Sequence, residues 1–180
     1  MALEATFRRL SLALHKFHDA VAALQATVGD TPPNDETALA DAMENRVFDM
    51  MGTLHEIRQA ALRAQKNVGH SPDMGSARHA LTLCQERFHR VERQFASDLV
   101  SYKSLNDLAR LGRERRLWTP WTSAVRKGIE QCRRPLEQTS KALSACWQEL
   151  AEHLGAVNIS MKTTNVGQQI TSSKPKAEAS

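Results

Sequence analysis

The chain has 180 residues, 41% hydrophobic and 24% charged, enough to bury one core without metal or disulfide support. Aromatic residues make up only 5%, so the core must be mostly Leu, Ala, Val and Met. Three cysteines, an odd number with no CxxC pair, argue against a disulfide framework. The N-terminus lacks a signal-peptide profile, and no window reaches the roughly 18 apolar residues of a membrane span. A cytoplasmic protein with reduced, buried thiols is the expectation.

Leu3, Phe7, Leu10, Leu14, Phe17, Val21, Leu24 and Val28 follow a strict four-three spacing, which places them on one seam of a helix. Gly29, Asp30, Thr31, Pro32, Pro33 and Asn34 stop it. A second helix is expected from about Glu36 to Val68, with Ala40, Met43, Val47, Met50, Leu54, Ile57, Ala61 and Ala64 on its seam. After a turn around Gly69, Pro72 and Gly75, a third helix uses Ala77, Leu81, Cys84, Phe88, Val91 and Phe95. Asp98 then falls on the seam, and the pattern slips onto Leu99, Tyr102, Leu105 and Leu108. Such a slip means a change of supercoil, a kink or a restart.

Thr119 as N-cap and Pro120 at the first helical position open the fourth helix. Its seam reads Val125, Ile129, Cys132, Leu136, Thr139, Leu143, Cys146, Leu150 and His153, with a kink expected at Pro135 and Gly155 as C-cap. Short connections make neighbouring helices antiparallel, so residues 1–155 read as an all-α, up-down-up-down four-helix bundle. Its long helices 3 and 4 would carry their joining hairpin past the end of helix 1. Residues 156–180 read as an extended or disordered tail. Val157, Ile159 and Met161 alternate with polar residues, giving a short strand within 156–170 that pairs in trans, or else an unstructured end.

No motif specifies a reaction, so the chain reads as non-enzymatic, without cofactor or metal. Glu86 and His89 form one ExxH pair where a di-iron bundle needs two, and His15 with His18 makes only half a zinc site. The segment His55, Glu56, Ile57, Arg58, Gln59, Ala60, Ala61 is similar to the histidine-phosphotransfer pattern His-x-Leu-Lys-Gly-small-Ala. That resemblance spans seven residues and implies a phosphoryl-accepting His55. Gln59 replaces the glycine that lets a partner approach the imidazole.

Charge is the clearest remaining signal. Residues 101–134 hold Lys103, Arg110, Arg113, Arg115, Arg116, Arg126, Lys127, Arg133 and Arg134 against three acids, a local +6 in a chain of net +4. Trp118 and Trp121 sit inside this stretch. Arginine forks beside aromatic rings suit phosphates with stacking bases, and equally an acidic protein surface or an anionic membrane surface. The leading expectation is an interaction subunit of a larger intracellular assembly, with a protein partner or self-association. The alternative is a nucleic-acid-binding bundle resembling the small helical subunits of RNA-guided effector complexes.

Overall fold

The computed structural model describes residues 2–30, 37–70, 74–100 and 120–177, with side chains in most of these as far as residue 155. Four α-helices account for nearly all of it: α1 (Ala2–Gly29), α2 (Thr37–His70), α3 (Met74–Gln94) and α4 (Pro120–Ala177). A six-residue π-helix, Phe95–Val100, continues α3. No strand occurs among the described residues.

The seven-residue periodicity explains the packing. Every α1 seam residue from Leu3 to Val28 is buried, as are the seam residues of α2 from Ala40 to Ala64 and of α3 from Ala77 to Phe95. On α4, Val125, Ile129, Cys132, Thr139, Leu143, Cys146 and Leu150 are buried, and Leu136 packs against the same core. The apolar members of these seams form one cluster. Helix α1 packs against both α2 and α4, and α2 packs against α3, whereas α3 and α4 meet sparsely. Phe17 reaches across the centre to Phe88 of α3, edge to face at 6.5 Å and 77°. That geometry suits the charge distribution of two aromatic rings.

Polar contacts fix the register between helices. The Trp121 indole donates to the Val28 carbonyl (3.3 Å), the Thr139 hydroxyl lies 3.3 Å from the Ala13 carbonyl, and the Cys146 thiol lies 3.5 Å from the Thr6 carbonyl. Residue numbers therefore rise along α4 as they fall along α1. Ser11 with Gln65 and His15 with Arg58 give the same relation between α1 and α2. Cys84 at the Ile57 carbonyl and Gln94 at the Arg46 carbonyl give it between α2 and α3. At Gly128 the backbones of α4 and α1 come close: a Cβ there would lie 2.9 Å from Leu24 Cδ1.

Where the seam slips at Asp98, the chain adopts the π-helix. Its wider turn absorbs one extra residue, which is the shift that the pattern demands. Pro120 opens α4, in line with its fixed φ and missing N–H. The helix then passes through Pro135, where the Thr139 hydroxyl takes up the Pro135 carbonyl at 2.8 Å.

Three expectations are corrected. Gly155 does not end α4, His153 is exposed rather than on the seam, and residues 156–170 are helical instead of a strand. A helix satisfies its backbone donors and acceptors within one segment, which a strand without a partner cannot. Running through one glycine costs only about 1 kcal/mol, and the strand preference of Val157 and Ile159 is weak without a sheet to join. The side chains of Val157, Ile159 and Met161 lie outside those described, as does the whole hairpin expected to project between α3 and α4.

Phe17 is fully buried at the meeting of α1 and α3, so Phe17→Ala should cost about 3 to 5 kcal/mol through lost burial and a residual cavity. Chemical denaturation measures this directly, and a loss below about 1 kcal/mol would mean that the seam is not packed as described.

Candidate interaction surfaces

The basic stretch is partly visible. Arg126, Lys127, Arg133 and Arg134 are exposed on α4, and seven-residue spacing sets Arg126 with Arg133 and Lys127 with Arg134 in two rows about 100° apart round the helix. Lys141, overlooked in the sequence, extends the second row. Glu130 and Glu137, both exposed, form a row between the two, and Arg133 lies 3.4 Å from Glu130 in an exposed pair that adds little stability. Lys103, Arg110, Arg113, Arg115, Arg116 and Trp118 lie outside the described residues.

Trp121 is not a stacking platform. It is 6% exposed, packs in the core beside Val125, and spends its indole N–H on the Val28 carbonyl. Amphipathic tryptophan closes an end of the bundle well, because one edge is apolar and the other satisfies a terminal carbonyl of α1.

A second surface lies on the outer side of α1 and α2. The large hydrophobic side chains exposed among the described residues are Leu12 (54%), Phe48 (66%) and Leu62 (49%). Phe48, His55 and Leu62 lie seven residues apart, each one step past a seam residue, and so form a line along α2. The Ser11–Gln65 and His15–Arg58 contacts bracket Leu12 and Leu62, which places these two leucines at the same height on neighbouring helices. Gly52 on this face has open space around it. Sequence reasoning concentrated on the seams; apolar residues one or two steps off them were the available signal.

Between these hydrophobic groups lies a polar cluster. The Arg58 guanidinium donates to His15 Nδ1 (3.2 Å), His15 Nε2 lies 3.4 Å from Asp19, and His18 lies 3.9 Å from Asp19. The pKa of His18 is held below its usual 6.5, chiefly by burial, then by Arg58, His15 and His55, with Asp19 opposing. His55 itself is exposed, while Ile57, Ala60 and Ala61 of the phosphotransfer-like segment are buried. No group of three or more potential ligands arranged for a metal ion occurs among the described residues. Glu86 and His89 lie on α3, His89 exposed and 3.4 Å from Glu92.

The three cysteines are free and buried, and burial pushes each thiol up to about 12. Cys84 and Cys146 turn their thiols toward the carbonyls of Ile57 and Thr6, which makes them packing groups rather than nucleophiles. No helix among the described residues is long and apolar enough to cross a membrane. The chain matches no protein-family model, no curated protein and no solved structure.

Two outcomes follow from this geometry. Trp121→Phe should cost about 1 to 3 kcal/mol by leaving the Val28 carbonyl without its donor; an unchanged denaturation midpoint would contradict that role. His18 takes up a proton more readily unfolded than folded, so its contribution to stability is complete above about pH 6.5 and is lost as the pH falls through the window below. The drop in denaturation midpoint between about pH 7.5 and 5.5 should therefore be smaller in His18→Gln than in the parent. Equal drops would show that His18 is not the sensitive group.

Proposed function

We propose that this chain is a non-enzymatic interaction subunit of a larger assembly, folded as an antiparallel up-down-up-down bundle and working in the cytoplasm. The observation that carries the reading is the exposure of Leu12, Phe48 and Leu62 on the α1/α2 face. Single exposed hydrophobic residues are ordinary, but three on one face, bracketing a polar cluster, match the apolar and polar mixture of a docking surface. The register contacts between α1 and α2, α2 and α3, and α1 and α4 support the antiparallel topology. Three unpaired buried thiols support a reducing compartment.

The native size of the complex in the producing cells tests this. Wild-type chain should elute far above its own 20.1 kDa mass, and the Phe48→Glu, Leu62→Glu double variant should shift toward it. Wild type already at monomer size would contradict the reading.

Nucleic-acid binding through α4 is the second reading, favoured by the two rows of cations exposed on one helix. Phosphate contacts would draw on Lys127, Arg134 and Lys141, joined by the arginines of 101–119. Affinity for a single-stranded oligonucleotide should fall linearly on a log-log plot as salt rises, and reversing Lys127, Arg134 and Lys141 to Glu should remove it. Absence of binding at low salt would dismiss this reading. Phosphoryl transfer at His55 is a third reading, supported by the exposure of that imidazole and weakened by Gln59 one turn further on.

A further inference from the structure

We propose that the cleft between the end of α2 and the start of α3 binds a small phosphate monoester, with Arg63, Asn67 and His79 holding the phosphate and Leu83 lying under the organic group that carries it. A cavity of about 390 Å³ opens between the two helices, lined by Arg63 and Asn67 of α2 and by Ser76, His79, Ala80 and Leu83 of α3. That volume falls in the range of small-molecule sites. Its lining follows from helix geometry. Arg63 and Asn67 are four residues apart, and Ser76, His79, Ala80 and Leu83 recur at spacings of three and four, so each set stands on one flank of its helix. Ala80 is buried and Leu83 half-buried, whereas Arg63, Ser76 and His79 are exposed. The cavity thus has an apolar floor beneath a polar rim, the usual division of labour in a ligand site.

The charge around the cavity selects an anion. No carboxylate lines it among the described residues. Glu56, seven residues before Arg63 on α2, is taken up by Arg87 at 3.4 Å, and Glu86 stands seven residues beyond His79 on α3, about 10 Å along the helix. Arg63 acts across the groove: burial pushes the Cys84 thiol of α3 up, and Arg87 and then Arg63 oppose it. Among the described residues, no hydrogen bond or ion pair within the chain takes up the side chains of Arg63, Asn67 or His79. A guanidinium fork, an amide and an imidazole N–H therefore converge from two helices with their donors unspent. A tetrahedral phosphate offers oxygens in several directions and can meet all three. A planar carboxylate satisfies one fork and leaves the donor opposite it unused. Ala80 and Leu83 add burial for an apolar group joined to the phosphate, which bare phosphate cannot use.

A chemical-shift titration of the purified full chain with phenyl phosphate tests the proposal. The backbone amides around Asn67 and His79 should move with a single saturating curve and a Kd below about 1 mM. Inorganic phosphate, which lacks the ring, and benzoate, which keeps the ring but carries a carboxylate, should each bind about tenfold more weakly. Arg63→Gln and His79→Gln should each weaken phenyl phosphate about tenfold while circular dichroism stays unchanged, because both side chains are exposed. Lys16→Gln removes an exposed cation from α1 and should bind like wild type. No shift up to about 10 mM phenyl phosphate would overturn the proposal. So would an affinity that ignores Arg63→Gln, a loss as large in Lys16→Gln, or benzoate binding as tightly as phenyl phosphate. A phosphotyrosine peptide that binds more tightly than phenyl phosphate would assign the cavity to a modified protein, and the small-molecule occupant would be wrong.

Discussion

Burial of the α1 seam is the constraint on which the rest of the structure depends. This helix packs against both α2 and α4, and through Phe17 it reaches α3. Its eight seam residues are at most 1% exposed, so the apolar groups of the other helices assemble around a single rod. The hydrophobic contribution scales with that buried area. Hydrogen bonds from Trp121 and Cys146 to α1 carbonyls then select one register among those that apolar contact alone would tolerate. Close approach at Gly128 adds a steric condition, because a larger residue there would push on Leu24.

Much of this architecture was legible because seven-residue periodicity is a direct statement about which face of a helix is dry. The seams from Leu3 to Val28 and from Ala77 to Phe95 could be read residue by residue. Even the slip at Asp98 carried meaning, since a helix can absorb one extra residue only by changing its winding, and the π-helix at Phe95–Val100 does so. The tail was not legible. Alternation over Val157, Ile159 and Met161 signals a strand only where a sheet exists to accept it, and α4 continues through it to Ala177.

The candidate surfaces were less readable, for a different reason. Composition and charge reveal which groups cluster along the chain but not which of them the core consumes. Trp121 stood amid arginines in the sequence and turned out to close the bundle against Val28. Conversely, Phe48, Leu62 and Leu12 looked like ordinary apolar positions until their height and phase on neighbouring helices set them on one face. The apolar groups lie on α1 and α2 and the described cations of the basic stretch on α4, so the two candidate surfaces belong to different elements and can be altered separately.

Hydrogen exchange of the backbone tests the central place of α1 most directly. If the other helices pack around it, amides between Leu10 and Leu24 open only when the whole bundle unfolds, and their protection equals the global stability. Protection of α2 and α3 should not exceed it. Faster exchange in α1 than in the α2/α3 pair would show that those two helices stand without it, and the account of α1 as the central rod would be wrong.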